Sequence, residues 1–448
     1  MKQKTTFFRG VLLNSLLLLA TLSVQAQWVT VGPTNGPDFK VNDLQTFNND
    51  LYAAGASTDG SKGIAKWDGK AWTSIARVYP KFKQFTLGVN ALAVYNNQIV
   101  AAGITDSIAG IYTGTSDVVT YNGTSWSKLG SNPPDLGQVN CLAVYNNELY
   151  VGGYGINKWN GSSWTSVAVK TKTTVGSINT MTVYNNELYV GGNFSKIANK
   201  SMTSGLGFAK WDGSNWTVLP GFFDTIPTVG PYNVASVACM MPFQGNLYAV
   251  GDMNTAGTTH LRGAAKWNGT AWSDVNGGIK GTGTLPANCL ATDANNLYLV
   301  GSIQAVNTAN DSVYLAARWD GNLWHPMLGT SSPYGFFSVE NHNNEIYAAY
   351  QSMVKWTGEV VTGLDTQTDD NGFSIYPALV IDRLHLQKGK DNESIQVQIY
   401  NSSGALVHAE KVDTSTDVEL NCAGFAPGMY YLKTTGVNTL SNHRFIKQ

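Results

Sequence analysis

Apolar and polar positions alternate along most of this chain with a period of two, and short polar turns interrupt the alternation at regular intervals. In Asn90-Ala91-Leu92-Ala93-Val94-Tyr95, Leu92 and Val94 share one face while Ala91, Ala93 and Tyr95 share the other, which is the period of a strand. Asn96-Asn97 follows, a pair that tolerates positive φ and suits a tight hairpin, and a second strand runs on from Ile99 to Gly103. The same unit is clearest from Val139 to Gly153, and near-copies recur from Val41 to Trp356.

Each copy continues into a second hairpin of the form Lys-Trp-Asp-Gly-x-x-Trp. An aromatic is followed five residues later by Trp in six copies: Trp67 and Trp72, Tyr121 and Trp126, Trp159 and Trp164, Trp211 and Trp216, Trp267 and Trp272, Trp319 and Trp324. Between them sits Asp-Gly or Asn-Gly, which predicts a type I′ turn with positive φ at both central residues. With a two-residue or a four-residue loop, both aromatics fall on one face of the hairpin and offer a large packing surface to a neighbouring sheet.

Counting the parts predicts the architecture. First-and-second-strand modules occur seven times, marked by Leu44, Leu92, Leu142, Met181, Val237, Leu290 and Val339, and third-strand aromatics also number seven, ending at Trp356. The fourth-strand Trp occurs only six times, which leaves Trp28 over from the thirteen tryptophans. Its segment, Trp28-Val29-Thr30-Val31-Gly32, matches Trp126-Ser127-Lys128-Leu129-Gly130 and reads as the missing outer strand of the seventh unit. Seven four-stranded units of about 45 residues predict an all-β, seven-bladed β-propeller over residues 27–358, closed by the N-terminal strand. An open β-solenoid, the rival, has no use for a strand borrowed from the far end of the chain. The pattern resembles the kelch-like Trp-Asp-Gly propeller repeats of secreted bacterial proteins, a resemblance that specifies fold rather than activity. It lacks the Gly-His…Trp-Asp pairing of WD repeats, and the double-glycine second strand is only partly kept, at Gly152-Gly153 and Gly191-Gly192.

Beyond a polar linker at residues 359–371 the period changes, and residues 372–448 read as a small C-terminal β-sandwich. Phe373-Ser374-Ile375-Tyr376-Pro377 opens it. Ile399-Tyr400-Asn401-Ser402-Ser403-Gly404, Pro427-Gly428-Met429-Tyr430-Tyr431-Leu432-Lys433 and Phe445-Ile446-Lys447 follow. Together these resemble the C-terminal sorting domain (type A) of the type IX secretion system of the Bacteroidetes, although Ala378-Leu379 replaces the usual Asn-Pro. The resemblance implies that the secretion machinery is a partner of residues 372–448. It assigns Tyr376, Pro377, Gly404, Gly428, Tyr430, Lys433, Phe445 and Lys447 to the sorting motif, and implies release from the cell or attachment to the outer-membrane surface. An ordinary accessory β domain is the bland alternative.

The N-terminus agrees with export. Lys2, Lys4 and Arg9 precede an apolar run from Val11 to Ala20, and Val24-Gln25-Ala26 offers a small-residue cleavage site, so residues 1–26 read as a signal peptide cut near Ala26. The run is too short to cross a bilayer, and no membrane span is expected in the mature chain.

Charge and candidate chemistry narrow the function only a little. The 448 residues carry a net charge of −1 with 13% charged side chains, which gives no basic surplus for nucleic acid. Cys141 and Cys289 occupy equivalent places in different copies, Cys239 sits in a third copy, and Cys422 lies in the tail. Such spacing predicts thiols too far apart to bridge and acting as small apolar residues. Asp68, Asp212 and Asp320 recur in the Asp-Gly turn, where Asn122, Asn160 and Asn268 serve other copies, so they read as turn residues rather than acids or bases. The six histidines show no metal-binding spacing. Catalytic residues, metal and cofactor are therefore all expected to be none. A basic residue precedes the third-strand aromatic at Lys66, Lys158, Lys210, Lys266, Arg318 and Lys355, and its regularity predicts a repeated packing or ion-pair role.

Ligand contacts are expected where copies differ. The second-to-third-strand loops and the connections between units carry the length variation, and both fall on one face. They hold Tyr79, Phe82 and Phe85, then Phe222, Phe223 and Tyr232, then Tyr334, Phe336 and Phe337. The first eight of these form the candidate binding set, expected either to be exposed or to fold back as loop cores. The expected function is that of a monomeric, secreted or cell-surface binding module for a glycan or protein ligand. The alternative is a polysaccharide-active enzyme, a glycosidase or lyase, which would need two carboxylates converging at roughly 5 to 10 Å. Inner-strand acids are scarce: Asp43, Asp293 and Glu340.

Overall fold

A computed structural model describes residues 25–448 except 33–35, 58, 81–87, 114–117, 132, 134–135, 169–175, 203–206, 223–234, 254, 257–258, 282–286, 302, 307–314, 328–334, 361–366, 369–373, 377–378, 381–382, 388–393, 402–404, 414–417, 427, 436–439 and 448. The described residues form strands and turns without a helix. They fall into two compact units, one spanning Ala26–Gly358 and the other taking in Glu359–Gln448. The expected signal peptide lies outside the described residues apart from its last two positions.

The first unit repeats one antiparallel sheet seven times, six times with four strands and once, in the first sheet, widened to six. The third sheet is representative, with Val139–Tyr145, Glu148–Gly153, Ile156–Trp159 and Trp164–Ala168 paired in sequence order. Asn146 and Asn147 turn between its first two strands with φ of 51° and 59°, so the type I′ geometry belongs to the Asn-Asn pair. The Asn-Gly turn differs from the sequence expectation. Trp159 pairs with Trp164 across a four-residue loop in which Gly161 takes a φ of 99°, while Asn160 is absent from the positive-φ residues. Instead, Asn160 Oδ1 accepts the Ser162 and Ser163 amides, at 3.0 and 2.9 Å. Asp68, Asn122, Asp212, Asn268 and Asp320 cap their loops in the same way, which is why Asp and Asn interchange there.

The basic residue before the third-strand aromatic reaches back across one strand pairing. Lys66 meets Asp50, Lys158 meets Glu148, Lys210 meets Glu187 and Lys355 meets Glu345 at 2.7–3.0 Å, and Arg318 donates to Asn296 Oδ1. These part-exposed pairs are worth at most about 1 kcal/mol each. They mark register more than they hold the sheet.

The strand Gln25–Thr30 pairs with Met353–Val360 and makes the seventh sheet four strands wide, with Glu345–Ala349 and Ser338–His342 inside it. Trp28 lies with its ring centroid 5.2 Å from that of Trp356, as the leftover tryptophan required. The first strands then contact one another in a cycle: Lys40–Phe47, Val89–Tyr95, Val139–Tyr145, Ile178–Tyr184, Ser236–Phe243, Cys289–Thr292, Ser338–His342, and back to Lys40–Phe47.

A second cycle runs through the fourth strands. Each outer tryptophan donates its indole N–H to a carbonyl at the end of the preceding sheet. Trp126 bonds Ile75 O, Trp164 bonds Leu129 O, Trp216 bonds Val167 O, Trp272 bonds Pro220 O and Trp324 bonds Val275 O, at 2.9–3.1 Å. Trp28 bonds Met327 O at 3.3 Å, and Trp72 bonds Val31 O at 3.4 Å, which closes the loop of seven. Neighbouring sheets bury their apolar faces between them. One such cluster joins Trp28 to Phe336, Val339, Val354 and Leu315.

In the second unit, Gln367–Thr368, Ser374–Tyr376, Arg383–Gln387 and Val418–Asn421 make one sheet, so part of the expected linker is strand. Leu379–Val380, Leu440–Lys447, Gly428–Thr435, Ser394–Asn401 and Leu406–Asp413 make another. Ile395, Val397 and Ile399 alternate into a shared core with Leu384, Leu386, Leu432 and Phe445. No helix among the described residues is long and apolar enough to cross a membrane.

Trp28→Ala is expected to destabilise the first unit by about 3–5 kcal/mol, the usual cost of removing a buried tryptophan. Trp28→Phe keeps a ring but loses the N–H and should cost about 1 kcal/mol for that bond alone. Urea unfolding followed by tryptophan fluorescence measures both. Losses within about 0.5 kcal/mol, typical of an unconstrained surface position, would contradict the closure role.

Candidate functional site

Several second-to-third-strand loops are built in part from ordered hairpins. Thr105–Ile108 and Ile111–Tyr112 pair with each other and extend the first sheet alongside Trp72–Pro80. Lys196–Ile197 with Lys200–Ser201, and Thr255–Ala256 with Thr259–His260, make two further short hairpins. Ile279–Gly281, in the connection after the fifth sheet, pairs with Ile303–Val306 in the next second-to-third loop. Connections and second-to-third loops thus meet on one face.

The candidate aromatics separate there. Tyr79 is 40% exposed, and its ring lies over Gly60, where an added Cβ would come within 2.6 Å of it. Phe222 and Phe336 are corrections to the exposed-site expectation, because both are fully buried. Phe222 packs on Phe208 and Trp272, and Phe336 on Trp28, so these connections fold back to fill gaps between neighbouring sheets. Phe82, Phe85, Phe223, Tyr232 and Tyr334 lie outside the described residues. Two tyrosines absent from the sequence-based set are exposed instead: Tyr112, at the hairpin tip, 74% exposed, and Tyr154, 41% exposed, packed over Gly137. In the tail, Tyr430, Phe445 and Lys447 of the sorting motif are buried and Lys433 is half-buried, whereas Pro377 and Gly404 lie outside the described residues.

Most departures from the repeat gather where the seventh sheet meets the first. At five of the seven junctions an Asn early in the first strand donates its side-chain amide to a carbonyl of the next sheet. Asn42 bonds Val89 O, Asn90 bonds Val139 O, Asn140 bonds Ile178 O, Asn179 bonds Val237 O and Asn288 bonds Phe336 O, at 2.8–3.3 Å. Phe337 takes that place in the seventh sheet. It packs on Tyr350 with centroids 4.5 Å apart, and Lys40 Nζ lies 4.9 Å above the Phe337 ring. Burial lowers the Lys40 pKa.

Farther along the same junction, Ser338 Oγ accepts the Leu44 amide at 3.1 Å and Glu340 accepts the Thr46 amide at 3.0 Å. Asp43 accepts its neighbour Leu44 at 2.9 Å and Leu92 of the second sheet at 2.7 Å. Both acids are part-exposed, yet enough protein surrounds them to disfavour charge. Burial, opposed by the backbone amides and reinforced by Glu340, pushes Asp43 up to about 7. Burial likewise pushes Glu340 to about 7, against the Thr46 hydrogen bonds. Asp293 sits elsewhere, capping its own turn and accepting the Tyr298 hydroxyl at 2.6 Å.

At the trimmed end of the junction, His342 replaces the aromatic found at Tyr145 and Tyr184. Those tyrosines donate to Asn186 O and Gly245 O of the following sheets. His342 stops at Thr46 Oγ1, 3.2 Å from Nδ1, while its Nε2 lies 3.1 Å from Asn343 Nδ2, the neutral tautomer that burial favours. A pocket of about 310 Å³ opens beside it, lined by Val31, Trp67, His342, Asn343, Glu345 and Lys355 among others. Glu345 is held below the usual carboxylate range by Lys355 and Tyr347. The pocket offers one aromatic wall, a paired acid and base, and neutral donors and acceptors, a lining suited to a small polar group. The histidine was visible as a break in the repeat; that it opens a concavity was not.

Residues 374–448 match a family model described as a secretion system C-terminal sorting domain. Among solved structures, the chain is similar to the "Structure of YjhT" at 14% identity and a TM-score of 0.36, over 74% of this chain and 95% of that one. It is similar to the Neurospora crassa Pan2 WD40 domain at 9% identity and 0.31, over 81% and 82%. It is also similar to a bifunctional GH43-CE protein of Bacteroides eggerthii at 9% identity and 0.29, over 94% and 57%. No curated protein matches the chain. The sorting tail indicates secretion or cell-surface attachment through type IX secretion.

The two raised carboxyls give a signed pH dependence. Their folded pKa values near 7 stand above the ordinary 3.8 and 4.5, so their contribution to stability is fully present below about pH 4 and is lost as pH rises through 7. The thermal midpoint of the wild type relative to the Asp43→Asn/Glu340→Gln double variant should fall between about pH 4.5 and 8. A difference that stays flat or rises across that interval contradicts the assignment.

Proposed function

We propose that the chain is an exported seven-bladed β-propeller, followed by a sorting β-sandwich, that works as a binding module for a glycan or protein ligand. Seven repeated sheets, first strands in cyclic contact and the cycle of indole hydrogen bonds support the blade count. Two sheets over one core support the sandwich. The matched tail supports type IX export of a chain whose first 26 residues carry a signal peptide pattern.

One observation carries binding over catalysis: the inner-strand acids are engaged by backbone amides. Asp43 and Glu340 join successive sheets, and Asp293 caps a turn. None is presented as a free acid or base on an open surface. Ligand contact then falls to the face of ordered hairpins, where Tyr79, Tyr112 and Tyr154 are exposed. The seam pocket at His342 is the competing place. The enzyme reading keeps one argument, namely that Asp43 and Glu340 lie on neighbouring first strands and are both pushed to about 7.

A glycan array and an immobilised-protein capture with the full chain test the reading. Tyr79→Ala/Tyr112→Ala is expected to weaken the retained ligand about tenfold, near 1.4 kcal/mol, with the fold intact by circular dichroism. Loss on His342→Ala or Glu345→Gln instead would move the site to the seam pocket. Polysaccharide cleavage abolished by Asp43→Asn would replace binding with catalysis.

A further inference from the structure

We infer that Cys239 and Cys289 form an intrachain disulfide once the chain has been exported, a cross-link between the first strands of the fifth and sixth sheets. All four cysteines are free thiols in the structure, as expected, but Cys239 and Cys289 occupy neighbouring sheets, to which a distance set by remote repeats does not apply. Ser236–Phe243 and Cys289–Thr292 are adjacent in the cycle. The Leu290 amide donates to Cys239 Sγ at 3.3 Å, so that sulfur already reaches the backbone next to Cys289. Cys289 Sγ lies 3.8 Å from its neighbour Leu290 O and 3.9 Å from Val339 O, and each thiol shifts the pKa of the other, down at Cys239 and up at Cys289. Both are part-exposed, whereas Cys141 and Cys422 are buried.

The lacing of the junctions points the same way. Asn42, Asn90, Asn140, Asn179 and Asn288 tie five of the seven junctions, and Phe337 with Lys40 occupies another. At the junction between the fifth and sixth sheets the equivalent residue is Ala238, which has no side-chain donor. The cysteine pair stands one residue beyond it. Secretion or surface attachment takes the chain into the compartments where disulfides persist.

The chemistry is thiol–disulfide exchange with a disulfide oxidant outside the cytoplasm. The neighbouring Cys289 thiol and the Leu290 amide, which donates to Cys239 Sγ, lower the Cys239 pKa, whereas Cys289 is pushed up and is the last to lose its proton. Cys239 Sγ attacks one sulfur of the donor disulfide, forms a mixed disulfide and displaces the donor's other sulfur as a thiolate. Cys289 then loses its proton, attacks Cys239 Sγ and displaces the donor's remaining sulfur. Two electrons and, by way of solvent, the pair's two protons pass to the donor, which leaves as a dithiol.

The full chain prepared by export into an oxidising compartment tests this, with cytoplasmically produced chain as the reduced reference. Titration in denaturant should find two free thiols after export and four in the reference, and non-reducing peptide mapping should recover the peptides of Cys239 and Cys289 joined. A phosphine reductant should lower the thermal midpoint of the exported chain by roughly 5 °C. Cys239→Ser and Cys289→Ser should each show the lower midpoint without responding to reductant, while Cys141→Ser keeps the response. Four titratable thiols in the exported chain, or a map joining any other pair, would overturn the inference. The map on wild type decides by itself if a serine variant fails to fold.

Discussion

Everything in the first unit depends on a cycle of indole hydrogen bonds having no free end. A sheet of four strands leaves an outer edge that would otherwise template pairing with another chain, and a chain of repeats adds two unpaired faces at its ends. Here each outer tryptophan packs on the third-strand aromatic of its own sheet, with centroids 5.0–5.3 Å apart in all seven, and reaches the sheet before it through its N–H. Trp28 and Trp72 are the links that turn the other five such steps into a closed set of seven. The net worth of one hydrogen bond is modest, about 1 kcal/mol. Its effect lies in direction: it fixes how each sheet is rotated against the last, and the buried aromatic area then follows.

Closure has a second, inner layer made by short side chains. Asn amides tie most junctions, and the exceptions hold the unusual chemistry. Where Phe337 replaces Asn, the junction is held by Lys40 over two rings, by Ser338 and by two carboxyls that burial keeps reluctant to ionise. Where Ala238 replaces it, the next residue, Cys239, accepts the Leu290 amide of the following sheet at its sulfur. An Asn satisfies the neighbouring carbonyl without charge or reactivity, so each loss of it leaves a place where something else must hold the strands. The seam between the last and first sheets gathers the most of these substitutions.

The repeat, the borrowed strand and the tail were all legible in the residues. Asn-Asn, the aromatic–Trp spacing and the leftover Trp28 are local signals, since turn conformation and strand alternation are set by residues a few positions apart. The fate of the loop aromatics was less legible. Phe222 and Phe336 look no different from Tyr79 along the chain, but the first two enter gaps beside Trp272 and Trp28 while the third rests on Gly60 at the surface. The Asp-Gly dipeptide leaves a two-residue and a four-residue loop both open along the chain; the carboxylate cap that selects the longer one shows only once the amides are in place.

What the sequence determined by itself is the repeated unit and its order of strands, along with the sorting tail, because periodicity and turn chemistry are written in neighbouring residues. What only the tertiary structure decided is which side chains of separate units meet: Asp43 and Glu340 across the seam, His342 stopping short and opening a pocket, Cys239 beside Cys289. Those encounters join residues about 50 to 300 positions apart, at distances of a few ångströms set by how sheets pack. No pattern along the chain carries that information, because the same alternation would permit other rotations of one sheet against the next.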